Sequence, residues 1–259
     1  MAARDFSLIE SDHVFFMDSA TEAQADRESH LLELHQFFEE PRHLHWLDLG
    51  CSQGEFTSSL FCDWNWPPSH LSISLLEPVT DHRKVAVKTL SRFSGTPPRE
   101  VLDLTQEVDA SFDVILANHS CYYVEDAELT FKELKRVLRP DGLGIIAIAG
   151  QDNFLIQLWQ QAFESLKKSL PYWIAEDFRS ELEKSGLCFS EKSVPYEIRF
   201  ADTIENRDRL LRFLLGEYWP KLDRHPLRLA FSPFSDGNNV CIQTQCQHFV
   251  FEGESRLTR

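Results

Sequence analysis

The stretch Asp48-Leu49-Gly50-Cys51-Ser52-Gln53-Gly54-Glu55-Phe56 decides the fold, because it joins an apolar, strand-like segment to a helix-like one. A strand that turns directly into a helix needs glycines where the backbone takes a positive φ or approaches a ligand. The first turn of the helix then offers free backbone N–H groups. The stretch therefore predicts a cradle for a nucleoside-containing cofactor at the end of a strand.

The spacing of the glycines argues against a dinucleotide. Gly50 and Gly54 form a G-x-x-x-G pattern with Ser52 between them, and Glu55 stands where a pyrophosphate would bind. A carboxylate at that place disfavours an anionic pyrophosphate. We therefore expect a cofactor that carries no pyrophosphate.

Strand-like and helix-like segments alternate along the chain. The runs 46–49, 73–76 and 114–117 are almost continuously apolar, as is typical of strands that helices cover on both faces. Such alternation predicts βαβ units, and hence a doubly wound, mostly parallel, Rossmann-like α/β sheet. The predicted elements are strand 45–49, helix 54–61, strand 72–76, helix 81–93, strands 100–104 and 112–117, helix 127–138, strand 144–149, and helices 153–170 and 175–185.

Two further strand-like segments, 187–200 and 239–251, predict an antiparallel C-terminal hairpin that closes the sheet. The 259 residues suit a single domain. We divide it into an N-terminal helical lid (1–40), a cofactor-binding core (41–150) and two additions on the substrate side (151–186 and 201–237). In the lid we predict a helix over 21–38, whose apolar face consists of Leu31, Leu32, Leu34, Phe37 and Phe38.

The composition excludes several classes of partner. The chain has 26 basic and 41 acidic residues and a formal net charge of −15, which repels nucleic acid. It has no apolar run long enough to span a membrane and no signal-peptide pattern, so we expect a soluble, cytoplasmic protein, with a monomer as the default. The six cysteines form no C-x-x-C pair, so we expect neither a disulfide nor a metal site.

Acidic residues follow three successive predicted strands. Asp48, Glu77 and Asp103 each stand at or near a strand end. The carboxyl ends of parallel strands share one edge of the sheet, where open α/β sheets bind their ligands. We therefore expect all three side chains to face the crevice at that edge, with Glu77 placed to accept hydrogen bonds from ribose hydroxyls.

Over residues 44–150 the sequence resembles the class I S-adenosylmethionine-dependent methyltransferases. It departs from their glycine pattern at Ser52, so we expect the methionine moiety to sit slightly differently. The resemblance implies S-adenosylmethionine as cofactor, a sulfonium cation that acidic strand ends attract. It further implies this cofactor site: Asp48, Gly50, Cys51, Ser52 and Gly54 in the loop, Glu77 on the ribose, His82, Asp103, Leu104 and Thr105 near the adenine, and Asn118 packed on the cofactor through its backbone.

Three short stretches are similar, more narrowly, to the histamine N-methyltransferase family. They are Thr21-Glu22-Ala23-Gln24, Leu76-Glu77-Pro78 and Tyr122-Tyr123-Val124. The resemblance implies that Glu22 contacts the substrate. His119 occupies the place of a glutamine that contacts the substrate in that family, and His82 replaces a second glutamine. These departures favour a related small amine over histamine itself.

Methyl transfer to an amine requires positioning, exclusion of water and removal of the ammonium proton. A carboxylate such as Glu22 strengthens amine binding but opposes deprotonation. His119, which ordinarily titrates near neutrality, is the candidate base, and a merely hydrogen-bonded histidine is the alternative. Tyr122 is the third candidate catalytic residue, since ring faces attract cations. The candidate substrate-binding residues are Phe16, Glu22, His119, Tyr122, Tyr123, Trp159 and Trp173.

Three other functions remain open from the sequence. A methyltransferase acting on an oxygen or carboxylate would need cations near the acceptor, for which Arg199, Arg207, Arg209, Arg212 and Lys221 are available. A catalytically silent cofactor-binding protein is compatible with the departures at Ser52 and His119. A basic protein tail as substrate suits the acidic composition, although the aromatic residues favour a closed pocket for a small molecule.

Overall fold

The strands of the computed structural model, which describes residues 9–253, follow the apolar runs of the sequence. They are β1 (Leu44–Leu49), β2 (Leu71–Leu76), β3 (Arg99–Glu100), β4 (Phe112–Asn118), β5 (Leu138–Ile148), β6 (Phe189–Ala201) and β7 (Asn239–Glu252). They form one sheet in the order β3-β2-β1-β4-β5-β7-β6. Strands β1 to β5 pair in parallel, whereas β7 is antiparallel to β5 and β6. This topology confirms the predicted fold class.

Helices cover both faces of the sheet. They are α1 (Glu10–Ser19), α2 (Glu22–Phe37), α3 (Glu55–Trp64), α4 (Thr80–Leu90), α5 (Ala127–Val137), α6 (Phe154–Ser165), α7 (Ala175–Ser185), α8 (Ile204–Leu215) and α9 (Arg224–Leu229). Alternate strand residues enter two separate buried clusters, so that Leu47 packs with α5 to α8 and Trp46 packs with α2 to α4. The near-continuous apolar runs are explained by burial on both faces.

Three local features differ from the sequence-based expectations. β3 has two residues instead of five, and the chain then leaves the sheet for a 3-10 turn over Leu104–Gln106 that Asp103 caps. α6 ends at Ser165 instead of residue 170, shortly before Lys167 takes a φ of +54°. α1 was not predicted from the sequence. Its single fully enclosed aromatic residue, Phe16, gives too weak a pattern to reveal a helix.

Most of the predicted apolar face of α2 is confirmed, because Leu34 and Phe38 are buried and Leu31 and Phe37 pack against the same apolar cluster, whereas the first half of the core-facing side is polar. Leu34 is buried, but Leu32 is 60% exposed. The other buried side chains of the helix are Asp26, Ser29 and His30. The helix therefore docks on the sheet partly through hydrogen bonds, which a search for apolar periodicity does not detect.

The antiparallel pair β6 and β7 runs in continuous register from Phe189 opposite Phe251 to Ala201 opposite Asn239. The connection between the two strands contains α8 and α9. Among residues 9–253, no helix combines the length and the apolar composition needed to cross a membrane.

Candidate active site

The loop between β1 and α3 has the backbone of a glycine-rich turn. Gly50, Ser52 and Gly54 take φ values of +72°, +48° and +80°. The N–H of Gly50 donates to the carbonyl of Leu76 at the end of β2, at 2.7 Å. Ser52 thus adopts the left-handed conformation, which glycine adopts at lower energetic cost. The backbone of the loop therefore follows the path of a glycine-rich loop despite the serine.

A cavity of about 480 Å³ opens at the carboxyl edge of the sheet beside this loop. Leu49 and Leu76, which end β1 and β2, form part of its apolar lining. Four predicted cofactor residues line it as well, namely Glu77, Asp103, Leu104 and Thr105. The structure thus brings together the second and third predicted acids in one pocket, whose lining is partly apolar and partly charged.

Two backbone N–H groups hold the Glu77 carboxylate at the cavity wall. Ser52 donates to Oε2 at 2.9 Å, and Val79 donates to Oε1 at 2.8 Å. Each oxygen keeps a lone pair for a further donor. The guanidinium of Arg83 donates to the Glu77 carbonyl at 2.6 Å and so fixes the backbone at the same point. Glu77 is therefore a rigid acceptor of the kind that a pair of ribose hydroxyls needs.

Asp48 does not face the crevice, which corrects the expectation for the first acid. Its side chain is 2% exposed and accepts a hydrogen bond from the Thr57 hydroxyl of α3 at 2.5 Å. Burial raises the pKa of Asp48 to about 7, although the bond from Thr57 opposes the rise. Asp48 lies one residue before the strand end, so its side chain points to the opposite face from that of Leu49.

The other predicted cofactor residues lie around the cavity without lining it. Cys51 is partly exposed in the loop, and burial raises the pKa of its thiol. His82 is in the first turn of α4, between the cavity-lining residues Pro78 and Arg83. Asn118 ends β4, and its side-chain oxygen accepts a hydrogen bond from Nε2 of His30 at 2.9 Å. Their contacts with the cofactor stay predictions.

His119 lies just past β4 and is held through both ring nitrogens. Its backbone has a φ of +51°, which turns the side chain out of the strand direction. Nε2 lies 2.9 Å from Oδ2 of Asp26 and 3.7 Å from Oε1 of Glu22. Nδ1 lies 3.0 Å from the hydroxyl of Tyr122. The structure therefore brings together Glu22, His119 and Tyr122, the three predicted catalytic residues.

The surroundings of His119 overturn the expectation that it titrates near neutrality. Burial alone lowers the pKa of this histidine, but the carboxylates of Glu22 and Asp26 outweigh burial and raise the pKa to about 9. At pH 7 the ring is an imidazolium that donates from both nitrogens, so it has no lone pair with which to accept a proton. His119 is a cationic donor in this state.

Asp26 is the centre of the cluster and was missed by the sequence analysis. Its other oxygen, Oδ1, accepts hydrogen bonds from Nε2 of His248 at 2.8 Å and from Sγ of Cys246 at 3.2 Å. His248 is held at Nδ1 by the Ser29 hydroxyl at 3.0 Å. The available signals were weak: Asp26 follows Glu22 by one helical turn, and Cys246 and His248 share one face of a strand.

Asp26, His119 and Cys246 offer donor atoms that lie within 4.8 Å of one another, a set that borderline metal ions accept. Hydrogen bonds among these side chains account for the arrangement, because each donor atom already has a partner in the protein. The expected absence of a metal stays a prediction.

The predicted aromatic substrate residues are mostly packed together. Tyr122 contacts Tyr123 and Trp159 edge to face, at centroid distances of 5.9 and 5.5 Å. The backbone N–H of Trp173 donates to the Tyr122 carbonyl at 3.3 Å, and the indole donates to Val124. Phe16 lies apart from this group and stacks on Phe213 of α8. Tyr123, Trp159 and Trp173 thus pack around Tyr122.

The sheet order, the glycine-rich loop and the acid-lined cavity define a methyltransferase of the Rossmann-like class. The sequence of residues 23–189 matches the family model described as a methyltransferase domain. The chain belongs to this family. It is an S-adenosylmethionine-dependent methyltransferase.

Solved structures with the same fold are distant in sequence. A candidate sarcosine dimethylglycine methyltransferase from Galdieria sulphuraria is 17% identical, with a TM-score of 0.56, over 88% of this chain and 86% of that one. A candidate methyltransferase from Bacillus halodurans is 16% identical, with a TM-score of 0.56, over 86% of this chain and 98% of that one. No functionally curated protein matches the sequence closely enough to count as a relative.

A phosphoethanolamine N-methyltransferase 2 from Haemonchus contortus, solved with phosphomonomethylethanolamine and S-adenosylhomocysteine, is also similar. It is 16% identical, with a TM-score of 0.51, over 87% of this chain and 52% of that one. These likenesses establish the fold and do not single out the histamine N-methyltransferase family.

The residues present fit S-adenosylmethionine. The lining includes apolar side chains that suit an adenine, and the two oxygens of the Glu77 carboxylate would suit the hydroxyls of a ribose. Asp103 and Glu77 also give this edge the negative charge that a sulfonium and an ammonium group favour. The donors and acceptors of the cavity therefore match the cofactor.

Proposed function

We propose that this methyltransferase transfers the methyl group to a nitrogen of a small amine, and that Glu22 anchors the amine. The observation that carries the proposal is the excess of carboxylate over cation around the end of β4. Glu22 and Asp26 both face His119, which supplies a single positive charge. An acceptor that brings its own positive charge is therefore favoured at this place.

Of the two carboxylates in the cluster, Glu22 is the one that a ligand can reach. The side chain of Asp26 is fully buried, whereas that of Glu22 is 13% exposed. The Tyr196 hydroxyl lies near Glu22. Tyr196 accepts a hydrogen bond from the side-chain amide of Asn153 at 2.9 Å.

The cations in and beside the insertion between β6 and β7 are committed to other partners, which disfavours an acid as the acceptor. Arg199 pairs with Glu197, and Arg207 pairs with Asp202. Arg209 and Arg212 both pair with Asp12 of α1. Lys221 lies over the ring of Tyr218. None of these five cations faces Glu22 or His119 in the interactions of the described residues.

The chain positions the reactants and excludes water. When bound, the cofactor would supply an electrophilic methyl carbon, and the lone pair of the amine would attack that carbon in line with its bond to sulfur, which would leave as a neutral thioether. Glu77 and the β1–α3 loop fix one reactant, and Glu22 fixes the other. Tyr122, Tyr123 and Trp159 pack edge to face beside His119, and such an aromatic surface suits a small organic acceptor.

The experiment measures S-adenosylhomocysteine release with aryl-ethylamines, aliphatic amines, carboxylates and 2-oxo acids as acceptors. We expect turnover with an amine, and we expect Glu22→Gln to raise the KM for that amine at least tenfold. Glu28→Gln is the matched control, because Glu28 is exposed on the same helix and bonded only to Gln24 among the contacts described. Turnover restricted to acids, or an unchanged KM in Glu22→Gln, would contradict the proposal.

A further inference from the structure

Asp26 is a fully buried carboxylate in the middle of the site, and cofactor binding and amine anchoring leave it without a role. Its two oxygens accept from different histidines, His119 at 2.9 Å and His248 at 2.8 Å. The bonds to both histidines hold the pKa of Asp26 well below its usual range, against the opposing effect of burial. Asp26 is therefore a permanent anion.

The negative charge of Asp26 keeps His119 protonated. The Nε2–H of the imidazolium donates to Asp26, and Nδ1–H donates to the Tyr122 oxygen. The same oxygen accepts a hydrogen bond from the N–H of Ala149 at 2.6 Å, so it has a fixed place at the end of β5. Deprotonating His119 would leave Asp26 without its nearest counter-charge in the protein interior.

Glu22 differs from His119 in that it can gain a proton without leaving a buried charge unpaired. Burial raises the pKa of Glu22 above its usual value, against the lowering by His119. A neutral Glu22 would leave the pair Asp26 and His119 balanced, one anion against one cation. Glu22 is therefore the residue of this cluster that gains and loses a proton.

We propose that Asp26 is a positioning residue that keeps His119 as a fixed cationic donor, and that Glu22 receives the proton which the acceptor amine loses. The inference rests on the proposed function and adds the proton path to it. The ammonium transfers one proton to Glu22 and becomes a free amine. Its lone pair forms the bond to the methyl carbon while the electron pair of the breaking bond goes to sulfur. Glu22 then releases the proton to solvent through its exposed edge.

The titratable groups around Glu22 and His119, which determine the pH dependence of kcat, come from four elements. Glu22, Asp26 and His30 lie on α2, Tyr122 follows β4, Tyr196 is on β6, and Cys246 and His248 are on β7. The carboxylates Glu22 and Asp26 raise the pKa of His119 to about 9. If His119 were the base, kcat would rise with pH through about 9. With Glu22 as the acceptor, the acid limb of kcat lies below that value.

The test combines the pH profile of kcat for the amine substrate with an NMR titration of the His119 ring in the wild type. We expect His119 to titrate near 9 and the acid limb of kcat to lie at lower pH. Glu22→Gln should lower kcat by about 100-fold and abolish that limb. Glu28→Gln, remote from the cluster, should keep the wild-type profile.

Asp26→Asn tests the positioning role separately. We expect the His119 titration to move from about 9 toward the ordinary histidine range, and kcat at pH 7 to fall. A kcat limb that coincides with the His119 titration, or a wild-type His119 that titrates near neutrality, would overturn the inference. If no amine is methylated, the proposed function and the proton path both fail. The wild-type titration still decides the role of Asp26, even if the variant does not fold.

Discussion

The backbone N–H of Ser52 donates to the Glu77 carboxylate at 2.9 Å and thereby joins the cofactor loop to the strand beside it. This bond links the residue that departs from the usual glycine pattern to the acid that lines the cavity. The position of the loop and that of the carboxylate are therefore coupled.

Replacing Glu77 should weaken cofactor binding. Glu77→Gln puts an amide donor opposite the N–H of either Ser52 or Val79, so one charge-assisted hydrogen bond is lost. We expect the Kd of S-adenosylhomocysteine, measured by calorimetry, to rise roughly 10- to 100-fold. Glu107→Gln serves as the control, because Glu107 pairs with Arg99 and neither residue lines the cavity. Equal affinities for the wild type and Glu77→Gln would refute this assignment.

Replacing Ser52 with glycine should stabilise the protein. Ser52 has a φ of +48°, which costs a residue with a Cβ about 1 to 2 kcal/mol, whereas glycine loses roughly 0.5 to 1 kcal/mol through entropy. We expect Ser52→Gly to raise the free energy of unfolding by roughly 0.5 to 1 kcal/mol in urea titrations. Ser52→Ala keeps the strained backbone and should show no gain. A gain in the alanine variant would point to the hydroxyl instead.

The position of Gly50 should tolerate no side chain. A Cβ there would stand 2.3 Å from Cβ of Ser120, and the backbone has a φ of +72°. We expect Gly50→Ala to lose cofactor binding and to lower the melting temperature. Adding Ser120→Gly removes the nearest clash but leaves the backbone strain, so it should recover part of the stability. Full recovery in the double variant would show that φ contributes nothing.

The buried carboxyl of Asp48 should make stability depend on pH. Its pKa is about 7 in the folded protein and 3.8 without the fold's influence. Between these values the native state holds a proton that the unfolded chain has released, so stability falls as pH rises, by on the order of 4 kcal/mol. Above pH 7 the stabilisation that comes from protonated Asp48 is lost completely.

Asp48→Asn should remove this dependence. The amide oxygen still accepts the hydrogen bond from Thr57 and has no proton to lose. We expect its urea midpoint to vary less than that of the wild type from pH 4 to 7, and to exceed it at pH 8. Parallel curves for the two proteins would show that another group causes the loss.

Most of the fold could be predicted from local sequence patterns. The helix over 175–185 was predicted with its observed bounds, and β1 was predicted to within one residue. These elements have clear periodicity and a glycine or apolar boundary. β3 was overestimated because its two paired residues are exposed and the apolar residues after them leave the sheet.

The candidate site likewise contains residues that could be predicted from the sequence and residues that could not. Glu77 and Asp103 were predicted because they follow strands whose order the fold class fixes. Asp26 and His248 were missed because a polar residue on a helix, or one that alternates along a strand, is ordinarily exposed to solvent. Only the packing of α2 on β7 shows that these side chains are buried together.

Asp26 and His248 are separated by 222 positions in the chain, yet they share a hydrogen bond at the centre of the site. Synthesis on the ribosome must therefore extend through β7 before α2 can reach its final seat. Until then Asp26 lacks the hydrogen bonds from His248 and Cys246, and a buried carboxylate with unfilled acceptor positions is unfavourable. We expect α2 to be cleaved faster in nascent chains that stop before β7 than in the complete chain, even though it already packs on α3, and limited proteolysis of stalled chains would detect this.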